Sequence, residues 1–207
     1  MLISIEGIDG SGKTTLYNNL KIVLSDLNPI FTREPGSQYL GAAVRRAIVE
    51  SSDPMVEAAL FVADHAVHIA TLIRPALEQN RIVITDRYID SRFAYQRVSM
   101  EGVHPNPQKW LEETHKGWTI IPDITFFLSL PSIDVAMERI GKRDSHEHFE
   151  RREILEKVYN NYLDIVADDT TNRFVFLNAD DAPEELANKA AKIIRDALAE
   201  RTQSVNL

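Results

Sequence analysis

Cysteine is absent from all 207 residues, so neither a disulfide framework nor a thiolate metal site is open to this chain. Positive charge is also scarce. Against 31 aspartates and glutamates stand 23 lysines and arginines, a formal net charge of −8. That balance argues against a broad nucleic-acid-binding surface, which needs concentrated cations facing a phosphate backbone. A local cationic pocket around one nucleotide remains compatible with it. No apolar run approaches the roughly 20 residues of a membrane span, and Met1-Leu2-Ile3 carries no signal-peptide pattern. The expected setting is therefore cytoplasmic, with no membrane partner. Internal repeats and low-complexity tracts are missing too. What remains is an ordinary globular composition, 44% hydrophobic and 26% charged, at a length that predicts one domain over 1–207.

The most informative stretch that is present is Gly7-Ile8-Asp9-Gly10-Ser11-Gly12-Lys13-Thr14, which fits the phosphate-loop spacing G-x-x-x-x-G-K-[ST]. Glycines at both ends let the backbone wrap a polyphosphate with its N–H groups facing the anion. Lys13 then reaches the β- and γ-phosphates, and the Thr14 hydroxyl meets Mg²⁺. The apolar run Leu2 to Ile5 reads as a strand before the loop. Leu16, Leu20, Val23, Leu24 and Leu27 recur at helical spacing after it, predicting a helix from about Lys13 to Leu27. Its positive end would face the phosphates.

Further on, Ile30 to Thr32, Arg81 to Thr85, Asp123 to Leu130 and Arg173 to Leu177 read as strands. Helical patterns lie between them, at about Tyr39–Val49, from Asp53-Pro54 to Gln79, to Met100, Pro107–Lys116, Pro131–Arg139, Phe149–Val166 and Ala182–Glu200. Alternation of this kind predicts an α/β domain with a parallel sheet covered by helices on both faces. Ligands of such sheets gather at the carboxyl ends of the strands. There the sequence places the phosphate loop, Arg33-Glu34 and Asp86-Arg87-Tyr88, so three strands deliver charged groups to one rim.

At these residues the chain resembles the thymidylate kinase family of P-loop nucleoside monophosphate kinases. The resemblance rests on Gly7 to Thr15, Thr32-Arg33-Glu34-Pro35-Gly36, Phe61 to Asp64, Asp86-Arg87-Tyr88 and Ala94-Tyr95-Gln96, followed by a basic lid from about 139 to 150. It implies a five-stranded P-loop fold, a homodimer, and transfer of the ATP γ-phosphate to dTMP with Mg²⁺ as cofactor. It also implies the roles. Gly7 to Thr15 and Arg139 hold ATP, while Thr14 and Asp86 serve the metal. Arg33 and Arg87 grip the acceptor phosphate, Asp9 holds the sugar 3′-hydroxyl or orients the acceptor and metal, Phe61 stacks on the base, Tyr95 lies against the sugar edge, and Gln96 belongs to the substrate site. Phosphoryl transfer asks for such positioned charges more than for covalent help.

Two departures from the family pattern stand out. Where relatives carry an arginine four residues after the stacking Phe61, this chain has His65. The position five after Arg87, often small or an amide, holds Arg92. The expectation is that the guanidinium has moved, with Arg92 and His65 facing the acceptor. In the lid His148 replaces an arginine, which makes Arg143 the expected transition-state cation, a role worth ~10³–10⁵ in rate. His65-x-x-His68 and His146-x-His148 lack a completing carboxylate or cysteine pattern for zinc. Two other functions stay open: a kinase of this fold for another pyrimidine monophosphate or a deoxynucleoside, and a nonenzymatic nucleotide-binding switch.

Overall fold

Strand β1 (Leu2–Glu6) is buried along its whole length, as both faces of a central parallel strand should be. Alternation sends Ile3 and Ile5 into one apolar cluster and Leu2 into another; Ile84 and Val83 divide the same way on the neighbouring strand. The computed structural model describes residues 1–141 and 149–205. Within them lies a five-stranded, all-parallel sheet in the order β2 (Ile30–Arg33), β3 (Val83–Asp86), β1, β4 (Ile124–Ser129), β5 (Phe174–Asn178). Its register sets Arg33 opposite Asp86 and Asp86 opposite Ile5, so three strand ends share one rim.

Helices cover both faces: α1 (Lys13–Val23), α2 (Tyr39–Val49), α3 (Pro54–His68), α4 (Arg74–Glu78), α5 (Ile89–Ser99), α6 (Pro107–His115), α7 (Ile133–Ile140), α8 (Arg152–Ala167) and α9 (Pro183–Val205). Helix α1 stops earlier than its apolar spacing predicts. A 3₁₀ turn at Ser25–Leu27 takes over and ends on Asn28 at φ 46°, a conformation asparagine tolerates. Asp53 caps α3 as expected, accepting from the backbone of Met55 and Val56 with Pro54 in the first turn.

The expectation that no apolar segment approaches membrane-span length is corrected by the long helix that starts at Pro54. Through a π-helical turn at Ile69–Ile73, α3 continues into α4, so Pro54–Glu78 forms 25 helical residues of mean hydropathy 1.5 over its most apolar window. By length and composition that segment is long and apolar enough to cross a membrane. Here it packs against α2 and α5, and buries Glu57, Asp64, His65 and His68. Ile69 and Ile73 from the π turn join the core under β1 and β3.

Candidate active site

The phosphate loop is shaped by where a side chain will not fit. Gly10 stands at φ +79°, and a Cβ there would lie 2.7 Å from the Ala136 carbonyl oxygen. The loop thus lies against the backbone of α7 with no room to spare. Lys13 begins α1 almost wholly buried, its Nζ donating to the Ile8 carbonyl at 2.8 Å. Burial, with Arg87 adding to it, lowers the ammonium to about 8. The Thr14 hydroxyl donates to Asp86 Oδ2 at 3.3 Å. Arg139 reaches back from α7 to donate to the Gly10 carbonyl at 3.4 Å, and also to the Ala179 carbonyl and Asp180.

These groups surround a cavity of about 470 Å³ lined by Gly10, Gly12, Lys13, Thr14, Thr15 and Arg139, together with Asp9, Asp86 and Arg87. Gly7, Ile8 and Ser11, expected to hold ATP, do not line it. The Ile8 side chain is in the core, Gly7 contributes its carbonyl to Arg87 at 3.3 Å, and Ser11 is buried.

A second cavity, about 360 Å³, opens on the other side of Asp9. Asp9, Thr14, Asp86 and Arg87 belong to both, so a four-residue wall joins two chambers. Arg87 sits at φ +65°, its Nη2 donating to Asp9 Oδ1 at 2.5 Å. Tyr95 completes the group, donating to Asp9 Oδ2 at 2.8 Å and accepting from the Asp9 backbone at 3.1 Å. Burial alone would push the Arg87 guanidinium down, but Asp9 beside it holds the pKa well above the usual value. Burial, which Asp9 reinforces, raises the Tyr95 phenol. Both groups therefore keep their protons at neutral pH.

Arg33, Phe61, Arg92 and Gln96 also line the second cavity, as the sequence leads one to expect. His65 does not. It is fully buried behind the wall, packed on Tyr88, His115 and Trp118, and its Nδ1 bonds Glu34 Oε1 at 2.7 Å. His68 Nδ1 meets the same oxygen at 2.8 Å. The other Glu34 oxygen accepts from Arg92 Nη2, while Arg92 Nη1 donates to the Phe61 carbonyl. Most of the Arg92 fork is therefore occupied by Glu34 and Phe61. Burial works to raise the Glu34 carboxyl, but Arg92 and His65 hold it well below the usual range.

Sequence reasoning passes over several residues that the fold brings here. Arg45 lines the second cavity and donates to the Pro35 and Gly36 carbonyls at 3.2 and 2.9 Å. Phe149 closes edge-on against Tyr95, ring centroids 5.5 Å apart. Glu6 accepts from Ser91, Tyr162 and the Tyr88 backbone beneath the wall. The arginine spacing around α2 is a usable signal for Arg45, Phe149 falls within the lid segment expected at about 139–150, and nothing local marks Glu6. Arg143 and His148 lie outside the described residues.

Two chambers meeting over a phosphate loop, with an arginine at the shared wall, define a P-loop nucleoside monophosphate kinase. Comparison with known proteins narrows the class. The family model for thymidylate kinase matches residues 5–190. A probable thymidylate kinase of Methanospirillum hungatei is 53% identical over 195 residues, 94% of each chain; one from Methanoculleus marisnigri is 54% identical over the same shares. The crystal structure of thymidylate kinase from Ehrlichia chaffeensis superposes with a TM-score of 0.73 at 27% identity, covering 94% of this chain and 98% of that one. The chain belongs to the thymidylate kinase family.

Proposed function

We propose that this chain transfers the γ-phosphate of ATP to dTMP, giving dTDP and ADP. The observation that carries the reading is the wall of Asp9, Thr14, Asp86 and Arg87 common to two cavities. A donor seated over Lys13 and an acceptor seated by Arg33 and Arg87 would bring their phosphates together at that wall, where transfer needs only positioning and neutralised charge. On binding, the donor phosphates would take the Lys13 ammonium from the Ile8 carbonyl. Arg33 and Arg87 present planar forks suited to an acceptor phosphate. Tyr95, held by Asp9, would fill the sugar edge, and Phe61 offers a ring to a pyrimidine.

Thr14 and Asp86 offer the hard oxygen donors that Mg²⁺ prefers, and they stand between the chambers. When bound, the ion neutralises charge on the β- and γ-phosphates. The single domain over 1–207, the lid at about 139–150 with Arg143 as its cation, and the cytoplasmic setting go with this reading. So does the homodimer that the family resemblance implies. Neither nucleic acid nor membrane enters the reading.

A coupled ADP-release assay across dTMP, dUMP, UMP, CMP and thymidine tests the proposal. The expected result is the highest kcat/KM with dTMP. A preference for another acceptor would favour a different kinase of this fold, for which Arg92 in the cavity lining is the motive. ATP binding with no turnover of any acceptor would favour a nonenzymatic switch. Lys13, Thr14, Arg33, Asp86 and Arg87, all in place, weigh against that last outcome.

A further inference from the structure

Glu6 ends β1 with its side chain wholly buried, directly before the phosphate loop. Nothing in the proposed transfer uses it, yet three donors converge on its carboxylate. Oε1 accepts from the Tyr88 backbone N–H at 2.8 Å; Oε2 accepts from Ser91 Oγ at 2.5 Å and from Tyr162 at 2.9 Å. Two of those donors bracket Arg87. Tyr88 follows it in the chain, and Ser91 Oγ accepts from Arg87 Nη1 at 3.2 Å.

Arg87 itself stands at φ +65°, a left-handed conformation unfavourable for a residue with a Cβ. Such a residue persists only where its surroundings hold it. Ile5 and Thr85 bond the Arg87 backbone directly and Asp9 its guanidinium; Glu6 adds to that hold on the backbone side through Tyr88 and on the side-chain side through Ser91. The choice of an acid also sets a direction. When ionised the carboxylate only accepts, so it draws the Ser91 proton and leaves a Ser91 lone pair facing the guanidinium, while the same hydroxyl also lies 2.8 Å from the Tyr162 hydroxyl. An amide in the same place could accept on one side only, its NH₂ facing either the Tyr88 N–H or the two hydroxyls, which would then have to turn. Keeping the acid buried is costly, since burial together with Asp90 pushes it up to about 7.

We infer that Glu6 is a positioning residue for Arg87, aiming its guanidinium at the phosphomonoester of the acceptor while touching neither substrate. The inference rests on the reading that Arg87 grips the acceptor phosphate. The test is two-substrate kinetics on wild type, Glu6→Gln and Ser91→Ala, with folding checked by circular dichroism and thermal melting. Glu6→Gln should raise the dTMP KM about tenfold and leave the ATP KM within about twofold, the separation expected when one of two anion grips is misaimed. Ser91→Ala, which keeps the Glu6 bond to Tyr88, should shift the dTMP KM several-fold in the same direction. Equal changes in both KM values, a fall in kcat alone, or no change in Glu6→Gln would overturn the inference. If Glu6→Gln does not fold, an unaltered dTMP KM in Ser91→Ala would overturn it. A wild type that ignores dTMP would overturn both the inference and the reading beneath it. A wild type that turns dTMP over beside an unaffected Glu6→Gln would overturn the inference alone.

Discussion

His115 closes α6 with its ring stacked on Trp118, centroids 5.5 Å apart, and with Nδ1 donating to the Leu111 carbonyl at 2.7 Å. Burial lowers its pKa to about 4, against about 6.5 for an unfolded histidine. Between those values the unfolded chain binds the extra proton, so this contribution to stability is present above pH 6.5 and lost as pH falls toward 4. Glu6 works the other way, its raised pKa favouring the fold in acid and losing that effect as pH climbs toward 7. Comparing wild type with His115→Phe isolates the histidine. Urea unfolding at pH 7 and pH 5 should show the wild type losing about 2 kcal/mol more than the variant, because protonating the unfolded ring costs the fold about 1.4 kcal/mol for each pH step below 6.5. A stability difference that is constant with pH would contradict it. At this scale Lys13 and Thr14 are legible in the sequence because their spacing to the loop is local. Glu34 is not, because its partners His65 and Arg92 lie 31 and 58 positions away. For the same reason the sequence alone points His65, along with the cavity-lining Arg92, at the acceptor. No local pattern reveals a buried carboxylate that claims them both.

Element by element, the acceptor chamber depends on how α2 meets the turn after β2. A Cβ on Gly41 would lie 1.9 Å from the Gly36 carbonyl oxygen, which is backbone and has no rotamer to yield. One turn along α2, Arg45 holds the Pro35 and Gly36 carbonyls, and Asp64 of α3 accepts from the Gly36 N–H at 2.8 Å. Two helices thus fix the turn that aims Arg33. Gly41→Ala should force α2 away from it, costing about 1–3 kcal/mol in stability as overpacking does. The dTMP KM should rise clearly more than the ATP KM, since the phosphate loop lies on other strands; thermal melting and two-substrate kinetics check both halves. An unchanged dTMP KM in a folded variant would separate α2 from acceptor binding. Strands and most helices are legible, since apolar runs and the Asp53-Pro54 cap act within a few residues. The π turn at Ile69–Ile73 is not, because its periodicity differs from an α-helix by one residue in a uniformly apolar stretch. Gly41 reads as a helix-weakening residue until the Gly36 carbonyl is seen beneath it.

For the whole molecule, a net charge of −8 coexists with a rim that collects Lys13, Arg33, Arg87 and Arg139 around the strand ends. Parallel β2, β3 and β1 make this possible, because each strand delivers its following residue to the same edge. The register that sets Arg33 opposite Asp86 is implicit in the motifs; the division of the rim into two chambers with one wall is not. Volume and shared lining emerge only when helices from distant sequence close over the sheet. That division means that donor and acceptor would occupy the protein together, with phosphate passing directly between them. Initial rates with ATP and dTMP both varied test it most directly. Intersecting reciprocal plots are expected, the sign of a complex holding both substrates. Parallel lines, the sign of a phosphorylated protein formed before dTMP binds, would contradict it.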